Sequence, residues 1–448
     1  KKGFYVVGES LDRKKISNWE ILEEFKGKDI EECRYEQLMP YEANSPVHAG
    51  GDPFRVIVGD FVTTEDGTGI VHTAPAFGAD DYKVGQKYNI GILTMVDREG
   101  KFVEGLGEFS NRYVKNYKDD PNYEDVNVDI SVKLKKENRA FKVEKYEHSY
   151  PHCWRTDKPV LYYPLDAWFI KTTAVKDQMV ALNKTINWKP KSTGEGRFGN
   201  WLENMVDWNL SRSRYWGTPL PIWRTEDGGE EICIGSITEL NDGIRKANEV
   251  LGGDVNKHYL HEGILDLHKP FVDEIVLVST KGQPMHRVPD LVDVWFDSGA
   301  MPYAQWHYPF ENKASVDKGE AFPADFIAEG VDQTRGWFYT LHALAVMLFD
   351  SVAYKTVVSN GLVLDKNGNK MSKRLGNVVD PFDTIKKYGA DATRWYLITN
   401  ASPWDNLKFD IAGIQEVQRK FFGTLYNTYQ FFALYANVDG FAFKEAYI

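Results

Sequence analysis

The sequence predicts an α/β protein built on a parallel sheet, with an α+β segment ahead of it and the start of a helical bundle behind it. Three observations carry that reading. Between about 155 and 400, strand-like and helical runs alternate: Val292 to Phe296, Asp325 to Ala328, a helix from Thr334 to Leu348, then Lys355 to Val358. Strand, helix, strand in that order is the pattern of a parallel sheet with helices on its faces. Residues 1 to about 147 are instead dense in short β-like runs between Gly and Asp turns, such as Phe54-Arg55-Val56-Ile57-Val58 and Gly69-Ile70-Val71-His72. From Ile411 to Ala436, apolar residues including Ile411, Ile414, Val417, Phe421 and Leu425 recur at steps of three and four, one stripe that a single helix cannot bury alone. The expected domains are 1–150, 151–400 and 401–448, with an aromatic, Pro-bearing junction at His148-Ser149-Tyr150-Pro151-His152-Cys153-Trp154.

Composition bounds the function. A chain of 448 residues exceeds the roughly 100–200 that one domain usually takes, which agrees with two or three domains. A net charge of −11 excludes a protein that binds nucleic acid through bulk charge, so any RNA contact must be local. Only Cys33, Cys153 and Cys233 occur, none at C-x-x-C spacing, which argues against a disulfide framework and a complete cysteine zinc site and for a reducing cytoplasm. No apolar run approaches the roughly 18 residues of a membrane span. The chain starts without Met and stops without a terminating signature, and is expected to be a piece of something longer.

Ligands of parallel sheets bind beyond the carboxyl ends of the strands, here after Ile327 and after Val358. Glu329-Gly330-Val331-Asp332-Gln333-Thr334-Arg335-Gly336-Trp337-Phe338 leaves a strand and opens a helix, a place where backbone N–H groups and short polar side chains reach a nucleotide. Upstream lies Asp293-Val294-Trp295-Phe296-Asp297-Ser298-Gly299. Downstream, Leu362 to Arg374 reads as a strand, an Asn-Gly turn and a loop with three cations in five residues, Lys370-Met371-Ser372-Lys373-Arg374. A triphosphate attacked at its α-phosphorus needs positive groups on its outer oxygens, and a lysine loop supplies them. The same stretch is no calcium loop, since Lys370 stands where that loop needs Gly and Gly376 where it needs Glu. Asp380 with Pro381 predicts a capped helix start beyond it.

A further constellation lies in the first segment. Gly67 to Tyr82 sets His72 and Thr73 on an extended run and Asp80 and Asp81 at a following helix start. Ester hydrolysis needs a polar wall to orient water and an anion to hold an ammonium group.

Taken in order, these strings resemble the class I aminoacyl-tRNA synthetases, in their isoleucine and valine branch. Lys370 to Arg374 is similar to that family's KMSKS loop, here KMSKR; Asp207 to Pro219 is similar to its stretch after the inserted domain; His148 to Arg155 and His72 are similar to the isoleucyl members in particular. The resemblance implies a class I Rossmann-type sheet, of which this chain carries the second half, with an inserted editing domain and the start of an anticodon-binding bundle. It implies Lys370 and Lys373 as catalytic, with Glu329, Gly330, Asp332, Gln333 and Lys373 at ATP and the adenylate. It further implies Trp295 and Trp337 as walls of the amino-acid pocket, and His72, Thr73 and Asp81 in an editing pocket. ATP with Mg2+ is the expected cofactor set; zinc is not expected, because Thr156 stands where part of the family completes a cysteine pair. The expected partners are tRNA(Ile), isoleucine and ATP, with no membrane, for a monomeric cytoplasmic enzyme.

The implied activity is ATP-dependent activation of isoleucine, transfer to tRNA(Ile), and hydrolytic editing of misactivated valine. Editing follows from the limit on hydrophobic discrimination: one methylene is worth about 1–3 kcal/mol, a magnitude for which the isoleucyl enzymes are themselves the standard case and which is adopted from them. No H-x-G-H string occurs, His48-Ala49-Gly50-Gly51 being the nearest, so these 448 residues alone are expected not to form the adenylate. Two rival readings are a valyl-tRNA synthetase piece and a non-catalytic tRNA-binding module in which the lysine loop, Arg212 and Arg214 touch phosphates.

Overall fold

The computed structural model describes residues 20–41, 50–63, 69–140, 143, 145, 147–153, 155–253, 255–257, 259–261, 263–372 and 375–444. The chain divides into two compact units, Lys1–Asp166 and Ala167–Ile448.

In the first unit the described residues form the helices α1 (Ala79–Lys87) and Val126–Lys136, joined by turns and isolated bridges such as Arg34 to Arg55 and Val96 to Phe102. The β-like runs at Phe54 to Val58 and Gly69 to His72 do not extend into ladders among these residues. Side chains replace the missing ladder bonds: Arg55 donates to Glu32 and to the Tyr88 carbonyl, and the Tyr88 hydroxyl donates to Glu31 at 2.6 Å. Helix Val126–Lys136 starts on Asp125, whose carboxylate accepts from Asn127 N, and buries Val126.

The second unit is α/β, as expected. Its elements include β1 (Asn187–Lys189), β2 (Ser211–Arg212), β3 (Leu291–Val292), α2 (Val294–Ala304), β4 (Ala324–Gly330), α3 (Trp337–Phe349) and β5 (Tyr354–Asn360). Strands β4, β5 and β1 lie side by side, all parallel, with Gly330 opposite Asn360 and Thr356 opposite Asn187. Helix α3 is the β4 to β5 crossover, and its run from Phe338 to Val346 is buried throughout because it packs on the sheet. Trp188, Phe338 and Tyr354 stack edge to face at the centre of this core.

An antiparallel module interrupts the chain between β2 and β3. Strands Ile222–Thr225, Glu231–Cys233, Val276–Val278 and Pro284–Arg287 form one sheet, covered by helix Ile237–Leu251, which buries Leu240, Ile244 and Ala247. After β5 come β6 (Val363–Leu364), α4 (Pro381–Tyr388), helix Ala390–Thr399 and β7 (Leu407–Lys408), which pairs with β6 in parallel. Gly361 is required at the turn out of β5, since a Cβ there would meet the Asp405 carbonyl oxygen at 2.2 Å.

Two local expectations differ. Val292 to Phe296 reads as a strand, but β3 stops at Val292 because the Asp293 carboxylate accepts from Trp295 N and starts α2. The apolar stripe from Ile411 is helical but not one even helix: Ile411–Val417 passes through a π-turn at Gln418–Phe422 into Gly423–Val438. Ile414 is buried with Tyr396 and Phe409, whereas Gly423–Val438 buries no residue, so Leu425, Tyr429 and Phe432 are exposed.

Candidate active site

Strand β4 ends at Gly330 with the exposed Glu329 just before it, and the chain turns at once into a 3-10 turn, Val331–Arg335. That turn brings Asp332 and Gln333 to the strand's carboxyl end. Gln333 Nε2 donates to Asp332 Oδ2 at 3.0 Å, and Gln333 Oε1 accepts from Trp337 N at 3.0 Å, so one side chain ties the turn to the first residue of α3. Thr334, fully buried, receives Arg197 Nε at 2.9 Å and anchors the turn from beneath.

Trp295 and Trp337 arrive from different elements, α2 and α3, on either side of Gly336. The Trp337 indole donates to the Ser298 carbonyl at 3.0 Å, fastening α3 to α2. A Cβ on Gly336 would lie 2.8 Å from Gln333 Oε1 and 3.2 Å from Trp295 Cη2, so Gln333 and Trp295 crowd the residue just before Trp337. Gly330 is similarly restricted, its missing Cβ falling 2.6 Å from Asp332 Oδ1. Five of the residues named from sequence, Gly330, Asp332, Gln333, Trp295 and Trp337, therefore form one constellation, with Glu329 at its strand edge.

The N-terminus of α2 is held by Asp293, a residue that sequence reading passed over. It is 3% exposed, and its Oδ2 accepts from Trp208 Nε1 at 3.0 Å and Arg212 Nη2 at 2.7 Å. Arg212 is thus turned inward onto α2. The sequence signal was present, an Asp just before the aromatic pair Trp295-Phe296, but its partners stand more than eighty residues upstream.

The lysine loop follows β6. Asp365 heads a turn that needs Gly368 at φ +88°, and Leu364 bridges Lys370 across it. The Asp365 carboxylate accepts from Asn377 Nδ2 at 3.0 Å and from the backbone N–H of Asn369 and Asn367, contacts that hold it below the usual carboxylate range. Lys370 is exposed; Lys373 and Arg374 lie outside the described residues. Helix α4 begins as expected, Asp380 accepting from Phe382 N and Asp383 N with Pro381 at the first position.

In the first unit, His72 is exposed and Thr73 half-buried on an extended stretch, while Asp81 sits in the first turn of α1. Gly78 caps that helix, and a Cβ there would lie 2.6 Å from Asp81 Oδ2, so the carboxylate folds back over the glycine. No hydrogen bond joins His72 or Thr73 to Asp81 among the described residues. Within the same residues, no group of three or more His, Cys, Asp or Glu could hold a metal ion, and no helix is long and apolar enough to cross a membrane.

Comparison with known proteins places the chain in a family. Residues 9–410 match the family described as tRNA synthetases class I (I, L, M and V), and the chain belongs to it. It is 63% identical to an isoleucine--tRNA ligase of Cytophaga hutchinsonii over 98% of this chain and 40% of that protein. It is 58% identical to the isoleucine--tRNA ligase of Bacteroides fragilis over 96% of this chain and 41% of that protein. Among solved structures, Mycobacterium tuberculosis methionyl-tRNA synthetase in complex with methionyl-adenylate matches 61% of this chain and 41% of that chain, at 15% identity and a TM-score of 0.38. The chain spans about 40% of the length of the curated relatives it matches.

Proposed function

We propose that this chain supplies part of the adenylation site and part of the editing site of an isoleucine–tRNA ligase. The observation that carries the reading is the convergence of Gln333, Trp295 and Trp337 around Gly336 at the carboxyl end of β4. An amino acid with a branched apolar side chain suits two indole walls, while Glu329, Asp332 and Gln333 offer acceptors for an ammonium group and for ribose hydroxyls. Gly330 and Gly336 let Asp332, Gln333 and Trp295 close in on the backbone at the strand end, the place where parallel sheets of this kind bind nucleotides.

The chemistry assigned to these residues is acyl activation. A carboxylate oxygen of isoleucine attacks the α-phosphorus of ATP; the new O–P bond forms as the bond to the bridging oxygen breaks, and pyrophosphate leaves. Lys370 and Lys373 neutralise the negative charge that grows on the leaving phosphates, where preformed charge acts most strongly. Mg2+ arriving with ATP would supply further positive charge there. A hydroxyl of the tRNA(Ile) terminal ribose then attacks the acyl carbon, and AMP departs. In the first unit Asp81 would hold the ammonium group of a wrongly attached valine while His72 and Thr73 orient the hydrolytic water. The same reading makes the enzyme monomeric and its compartment the cytoplasm.

Isoleucine-dependent ATP–pyrophosphate exchange by the full-length protein that carries this chain tests the reading. Exchange with isoleucine far above that with valine is expected. Valine as the preferred substrate would move the assignment to the valyl branch, and tRNA binding without any exchange would leave a non-catalytic RNA-binding module.

A further inference from the structure

The geometry points to Asn377 as a positioning residue, a carboxamide clamp that sets the backbone of the lysine loop against the Asp365 turn. Its Oδ1 accepts from Ser372 N at 2.8 Å, and its Nδ2 donates to the Lys370 carbonyl at 3.2 Å and to Asp365 Oδ2 at 3.0 Å. The first two bonds bracket Met371, whose side chain packs on the cluster of Tyr396, Leu407 and Phe409. Asp365 is itself fixed by Asn367 N at 2.9 Å and Asn369 N at 2.8 Å, so the clamp stands on a rigid turn. One side chain therefore joins three pieces of backbone: the turn at 365–369, the loop start at 370–372, and the exit at 377.

Only an amide can do this. It presents a donor and an acceptor at once, as the Ser372 N–H and the two oxygen partners require. A carboxylate at 377 would keep the bond from Ser372 N, lose both donations, and face Asp365 with a like charge. A leucine would lose all three. Lys370 carries its charge on a long flexible stem, so the place of its Cα decides how well that charge reaches a phosphate, and the Cα is what the clamp fixes.

This inference rests on the proposed role of Lys370 in ATP activation, and the test separates the two. In the full-length protein, Asn377→Asp is expected to lower kcat of isoleucine-dependent exchange about 50-fold with KM for isoleucine within about twofold, as for a group that acts on the transition state alone. The double variant Asp365→Asn/Asn377→Asp restores the bond between 365 and 377 with donor and acceptor exchanged, though not the donation to the Lys370 carbonyl, and should regain about tenfold of the loss. An unchanged kcat in Asn377→Asp, or a double variant no better than the single, overturns the clamp. Trypsin gives a readout free of catalysis: cleavage of the 448-residue chain at Lys370 to Arg374 should quicken about fivefold in Asn377→Asp and slow again in the double variant. Equal rates overturn the clamp even if the unmutated protein shows no exchange, a result that by itself would defeat only the proposed function.

Discussion

Gly78 and Asp81 show how far a single residue's role depends on its neighbour. The Asp81 carboxylate occupies the space that any side chain at 78 would need, at 2.6 Å from the missing Cβ. Gly78→Ala must push that carboxylate aside, at no cost in backbone strain, since Gly78 has an ordinary extended φ of −153°. If Asp81 holds the ammonium group of a mischarged amino acid, Gly78→Ala should slow deacylation of valyl-tRNA(Ile) by the full-length protein roughly tenfold, and Asp81→Ala on the order of 100-fold, the range of a lost charge-assisted bond. Isoleucine activation should hold in both variants; a parallel loss of activation would remove Asp81 from editing. Asp81 was legible in the sequence because its motif is local. Asp293 was not, because its partners Trp208 and Arg212 stand more than eighty residues away; Asn377 was not, because its partners, though near in sequence, meet it only once the loop folds back on the Asp365 turn.

At the scale of elements, the strand-to-helix switch at Asp293 and the buried helix α3 place the site. Helix α3 carries His342, fully buried, with Nε2–H donating to the Met179 carbonyl at 2.9 Å and Nδ1 without a partner. Burial pushes its pKa down to about 4, so the ring stays neutral in the fold. The unfolded chain takes up that proton near pH 6.5, the folded chain only near 4, and stability falls as pH drops across that window. Between pH 6.5 and 5 the group should cost about 2 kcal/mol. Urea unfolding at pH 7 and pH 5 checks this: His342→Gln, which keeps a donor for Met179, should lose about 2 kcal/mol less than the parent on acidification, and equal losses would refute it. The periodicity of Thr334 to Leu348 announced this helix, but not that its first turn would be 3-10 and break at Gly336. That break follows from Gln333 reaching over to Trp337 N.

For the whole molecule, the prediction turns on what 448 residues contain. They hold a lysine loop and strand-end acceptors but no H-x-G-H string. Charge on the transferring phosphates must be met from both sides of the nucleotide, and the lysine loop supplies one. The purified 448-residue chain is therefore expected to show no isoleucine-dependent ATP–pyrophosphate exchange above background, while the full-length protein does. Exchange by this chain at the full-length rate would show that the residues present suffice.

The sequence by itself determined the α/β class, the order of the motifs and the chemistry each could perform, because periodicity, turn residues and short motifs are written in neighbouring positions. Only the tertiary structure decided that Trp295 and Gln333 close on Gly336, that Arg212 pairs with Asp293, and that Asn377 closes the lysine loop. Among the described residues it also left Phe54 to Val58 with one isolated bridge, from Arg34 to Arg55, and Gly69 to His72 with none, since a strand is defined by its partner. In each case the deciding force is a hydrogen bond or a close packing contact that forms only once the chain has folded, and that folding obeys the whole sequence at once.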